Sequence, residues 1–112
     1  MALFQSSVCK HIAAVVALAF LSQNASALTA DDVTKKMNHD QRFSYLTGLI
    51  DMLAYQTSVA GNRSKGDCIV GAFFREGKEA SWNRLNEVLE KFGDKRAEIL
   101  VSVLAEQLCK DK

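Results

Sequence analysis

The sequence predicts a small all-α domain, a helical bundle of four to five helices stapled by one disulfide. Three observations predict it. Apolar residues recur at spacings of three and four nearly throughout, and the alternation expected of strands is absent. The chain contains no proline. Its cysteines reduce to one pair, Cys68 and Cys109, once the amino-terminal segment carrying Cys9 is set aside.

That segment reads as a secretory signal over residues 1–27. Such a signal has a basic start, a short apolar run and a small-residue cleavage site. Lys10 and the amino terminus supply the charge, Ile12 to Leu21 is unbroken apolar sequence, and Ala25-Ser26-Ala27 is an A-x-A site. The cut is placed between Ala27 and Leu28. The run is too short to span a bilayer, which takes about 20 apolar residues. Cys9 precedes the apolar run, where a lipid-anchored cysteine would have to follow it. Residues 28–112 are therefore expected to form one helical domain, periplasmic or secreted, with no stable membrane anchor after cleavage.

The first helix is expected from Thr29 to about Met37. Thr29 can cap it, Asp31 and Asp32 suit the positive end of its dipole, and Val33 and Met37 share a face. Asn38-His39-Asp40 caps a second helix, about Gln41 to Ala60, with Phe43, Leu46, Ile50, Leu53 and Thr57 as its buried stripe. Gly48 lies mid-helix, where glycine costs about 1 kcal/mol relative to alanine. With Tyr45 it is read as the place where a neighbouring helix packs closely. Gly61 to Gly66 has two glycines and no apolar residue, and reads as a surface loop. Asp67 is expected to cap a third helix, Cys68 to about Arg75, ended by Gly77-Lys78-Glu79. Ser81 is expected to cap a fourth, with Trp82, Leu85, Val88, Leu89 and Phe92 at helical spacing and Gly93 as its stop. Asp94 opens the fifth, which runs to about Cys109 and turns Ala97, Leu100, Val101, Leu104, Ala105 and Leu108 inward.

An even number of cysteines in an exported chain reads as a structural bridge. Cys68 and Cys109 lie 41 positions apart, and closing a loop of that length contributes about 3–4 kcal/mol in the chain-entropy model. A domain of about 85 residues buries a modest core and gains much from such a staple.

Composition narrows function. Losing Lys10 with the leader leaves thirteen basic side chains, fourteen less one, against thirteen acidic ones. Without a basic excess to neutralise phosphates, nucleic acid is not an expected partner. The only histidine after the cut, His39, reads as a solvated residue at a helix start. No serine lies in a G-x-S-x-G elbow, and Asp51, Glu76, Glu87 and Glu90 fall at polar helix positions. The stretch from Gly61 to Gly66 lacks P-loop spacing. Phe73, Phe74, Trp82 and Phe92 read as core packing rather than a ligand pocket, although adjacent Phe73 and Phe74 cannot both point inward. No enzyme activity, metal or cofactor is expected.

Three features carry a resemblance. A long helix holds Tyr45-Leu46-Thr47-Gly48, Cys68-Ile69 opens the next helix after a polar stretch, and the final helix closes on Leu108-Cys109. This layout resembles the Tai-type immunity proteins, small periplasmic helical proteins that protect bacteria from peptidoglycan amidases delivered by type VI secretion. It is also similar to uncharacterised small exported bacterial helical proteins in which a tryptophan follows the cysteine-opened helix, as Ser81-Trp82 does here. The resemblance implies a binding or inhibitor protein that occludes a cell-wall amidase, an exported hydrolase as partner, and homodimers. Asn62, Arg63, Ser64 and Lys65 are the expected partner-contact loop. The alternative expectation is an envelope stress or chaperone-like factor.

Overall fold

A computed structural model of the chain describes residues 28–112. The expected leader over residues 1–27, with Ala27 at its cut, lies outside the described residues. Five helices make up the rest: α1 (Asp32–Lys36), α2 (His39–Val59), α3 (Arg63–Phe74), α4 (Lys78–Lys91) and α5 (Ala97–Cys109). Among the described residues there is no strand, only one isolated antiparallel bridge between Thr29 and Arg96. The fold is the all-α bundle that the periodicity predicts.

α1 is a single wide turn of π-helix. Thr29 does cap it, through a reciprocal pair of bonds. The Asp32 amide donates to Thr29 Oγ1 at 3.2 Å, and the Thr29 amide donates to the Asp32 carboxylate at 3.0 Å. The segment before it is clasped to the stretch leading into α5. Ala97 N–H donates to the Leu28 carbonyl, Ala30 N–H to that of Lys95 and Asp31 N–H to that of Gly93, all at 2.8–2.9 Å. Gly93 sits close to Asp31, whose carboxylate would have to rotate away from a Cβ there. It follows α4 as expected, but its role is close approach rather than a left-handed stop.

α2 begins on a capping box. Asn38 Oδ1 accepts from Gln41 N–H at 2.9 Å, while Gln41 Oε1 accepts from Asn38 N–H at 3.0 Å. Its buried face is Leu46, Ile50 and Ala54, narrower than the predicted stripe, and Phe43 is half-exposed. α5 is the most enclosed helix, packed against α2, α3 and α4. Its Ala97, Leu100, Val101, Leu104 and Ala105 are buried as predicted, whereas Leu108 faces outward. Phe73, Leu85 and Leu89 from α3 and α4 complete the core.

Three predicted helix starts are corrected. α3 starts at Arg63, not Cys68, and its cap is Asn62, whose side chain accepts from Lys65 N–H at 2.9 Å. α4 starts at Lys78, after Gly77 turns the chain in the left-handed region at φ 87°. Ser81 is thus a buried interior residue of α4 and not its cap. α5 starts at Ala97, with Arg96 rather than Asp94 at its boundary.

Cys68 and Cys109 are joined by a disulfide, with their Cα atoms 6.0 Å apart. Cys68 lies in the second turn of α3, and Cys109, fully buried, ends α5. The bridge fastens the carboxyl end of the central helix to its neighbour, where it would otherwise fray.

Candidate functional site

The sequence points first to Asn62, Arg63, Ser64 and Lys65. They do not form a projecting loop. Asn62 caps α3 and the other three are its first turn. Lys65 reaches across to α5 and pairs with Glu106. Only Ala60, Gly61, at φ 109°, and Asn62 separate α2 from α3. The next residue, Gly66, is buried against α2. A Cβ there would lie 2.8 Å from the Ala54 carbonyl oxygen and closer still to Ser58 Oγ. Gly66 is therefore the close-packing glycine of the fold.

Gly48, assigned that role from the sequence, has open space where its Cβ would be. Among the described residues nothing lies within 4 Å of that position. Tyr45 is half-buried and packs against the core. Burial raises its phenol pKa, and the nearby Glu98 carboxylate acts in the same direction. His39 is exposed at the first position of α2, beside its cap. Among the described residues no group of three metal-ligating side chains comes together.

Two concave regions flank α4. The larger, about 550 Å³, lies between α4 and α5. Val88, Phe92, Leu100, Val103 and Leu104 form its apolar lining. Val103 is 50% exposed and Phe92 40%. Arg84, Glu87, Lys91 and Gln107 form the polar rim. Glu87 is engaged by Arg84 at 3.4 Å, and Lys91 Nζ lies 5.5 Å from the Phe92 ring centre. The rim carries two cations against one carboxylate, a net positive edge to the apolar lining. Ile99, one turn before Val103, extends the apolar strip along α5.

The second region lies on the other flank of α4, against the start of α2. It encloses about 390 Å³ and is walled by Phe43, Phe73, Phe74 and Trp82. Trp82 is fixed from behind. Its indole N–H donates to the Phe73 carbonyl at 2.8 Å, and the Phe73 ring meets it edge-on at 5.7 Å. Phe43 covers part of it from the front, 5.5 Å away and tilted by 32°.

Neither region was singled out by the sequence reading. For the first, the signal is Ile99 and Val103, two apolar residues four apart and outside the inward stripe of α5. For the second, the aromatics were seen but assigned to the core. Only Phe73 is fully buried; Phe74 and Trp82 are half-buried and Phe92 is exposed. Comparison of the chain with protein-family models, curated proteins and solved structures gave no match.

Proposed function

We propose that the protein is a small exported binding protein that masks a protein partner, acting as an immunity-type inhibitor of a cell-wall amidase. On this reading residues 1–27 are removed and the domain works in the periplasm or outside the cell. The observation that carries the reading is the apolar groove between α4 and α5, open to solvent and edged by Arg84 and Lys91. Exposed apolar surface of this kind, rimmed by polar groups, is where proteins dock. A groove between two helices suits an amphipathic segment of the partner, with apolar anchors seated against Val103 and Phe92. The disulfide supports the same reading, because such bridges persist in oxidising compartments.

The test is capture from periplasmic extract with the parent protein and with Val103→Lys, which places a charge on the groove without touching the buried core. The parent retains an exported hydrolase, and the variant loses at least about tenfold in affinity, ~1.4 kcal/mol. Equal capture by both proteins would remove the groove from the account. Absence of any hydrolase, from a strain that encodes such toxins, would remove the immunity function.

A second reading is favoured by one observation. Met52, Tyr55 and Val59 form an exposed apolar line along α2, which suits a chaperone-like envelope stress factor. That reading expects apolar dye binding and aggregation protection to rise in acid. Flat responses across pH would discard it.

A further inference from the structure

The aromatic cleft between α2 and α4 lies away from the α4/α5 groove and has a different chemistry. Its aromatic wall is organised in advance. The indole N–H of Trp82 is committed to the Phe73 carbonyl, so Trp82 contributes apolar ring surface to the wall and not a donor. Phe43, 51% exposed, stands beside it and extends the apolar wall towards solvent. Glu79, Asn83 and Asn86 form a polar stripe of α4 beside Trp82, at spacings of four and three, and Lys78 at the start of α4 and His39 on α2 complete the polar edge. Both asparagine side chains are exposed, and among the described residues no hydrogen bond occupies either.

That combination selects among occupants. An apolar helix or acyl chain lying on the aromatic wall would cover Asn83 and Asn86 and leave their amides without partners, at a cost for each. A ligand of a single charge sign would meet both Lys78 and Glu79, opposite in sign, at the edge of the aromatic wall. A pyranose ring matches both parts. Its axial C–H face is apolar and stacks on aromatic rings, and its equatorial hydroxyl and acetamido groups donate and accept in the ring plane. The volume of about 390 Å³ falls within the range of about 300–1,000 Å³ common for small-ligand sites.

We infer that the cleft walled by Phe43 and Trp82 and edged by Glu79, Asn83 and Asn86 is a glycan-binding site taking one pyranose ring of an oligosaccharide. The inference does not depend on the inhibitor reading, because it uses the opposite flank of α4 and neither Val103 nor Phe92.

Trp82 is the only tryptophan of the chain, so its emission reports this cleft alone. Protein purified after expression of the full 112-residue chain is titrated with tri-N-acetylchitotriose and with cellotriose. Emission is read together with the side-chain amide signals of Asn83 and Asn86 by nuclear magnetic resonance. The expected result is a saturable change in Trp82 emission, with shifts at both amides, for at least one of the two sugars. Phe43→Ala weakens it about tenfold, the scale of one aromatic contact. Asn86→Ala weakens it without altering the circular dichroism spectrum. No saturable change with either sugar would overturn the inference. So would binding that Phe43→Ala and Asn86→Ala leave unaltered. A loss of hydrolase capture in Val103→Lys with sugar binding intact would separate the two sites.

Discussion

Alanine at Gly66 and alanine at Gly48 are the same chemical change on two helices, and the packing predicts opposite outcomes. At Gly66 the new Cβ would overlap Ser58 Oγ and lie 2.8 Å from the Ala54 carbonyl oxygen. Ser58 can rotate away, but its hydroxyl donates to that same carbonyl at 3.0 Å and the bond would be lost, about 1 kcal/mol. The carbonyl belongs to the α2 backbone, so the remaining overlap must separate α2 from α3, an overpacking cost of about 1–3 kcal/mol. Alanine returns about 1 kcal/mol of helix propensity. The net expectation for Gly66→Ala is a loss of about 1–3 kcal/mol. At Gly48 the Cβ meets nothing, only the propensity term acts, and stability rises by up to about 1 kcal/mol. Urea unfolding followed by circular dichroism measures both. Ser58→Ala combined with Gly66→Ala should recover part of the loss and not all of it. A Gly66→Ala variant as stable as the parent would refute the close approach of α2 and α3.

Further expectations follow from single features. Replacing both Cys68 and Cys109 by alanine should cost about 4 kcal/mol for a loop of 41 residues, read as a lowered urea midpoint that added reductant does not lower further. Among the described residues Thr47 Oγ1 is buried with no partner, so Thr47→Val, which keeps the shape and removes the hydroxyl, should stabilise the fold by about 1 kcal/mol, read as a raised urea midpoint. The Asp32 carboxyl is held at about 2, down from 3.8, chiefly by its hydrogen bond to Lys36 and next by the Thr29 amide. Because the folded value is the lower one, its contribution to stability is complete above 3.8 and is lost as pH falls towards 2. The Thr29 amide resonance should follow that titration, and Asp32→Asn should abolish it.

The helical class, the inward faces and the cysteine pair were legible because each is written in side-chain chemistry at fixed spacing. Leu46, Ile50, Leu85, Leu89, Leu100 and Leu104 are buried as their periodicity requires. The first turns of α3 and α4 were not legible for one shared reason. A helix start exposes polar side chains and carries no periodic signal, so Arg63-Ser64-Lys65 and Lys78-Glu79 read as loop. Gly66 misled further, since its burial comes from having no side chain. Gly48 was the converse error, a glycine credited with a contact that only a neighbouring helix could supply. The clasp of Leu28 to Asp31 along Gly93 to Ala97 is made by backbone groups across more than 60 positions, and no side-chain pattern encodes it. The grooves flanking α4 depend on how helices sit beside each other. The α5 groove surfaced only as Val103 and Ile99, apolar residues left outside the predicted stripe, whereas Phe43 was placed in the buried stripe of α2 and is half-exposed.

The account rests on export, and the intact mass of the protein recovered from the periplasmic fraction tests that most directly. It predicts a chain that starts at Leu28 and is two hydrogens lighter than its reduced form, as the Cys68–Cys109 bridge requires. A reduced chain still starting at Met1, found in the cytoplasmic fraction, would contradict export and with it the proposed partner.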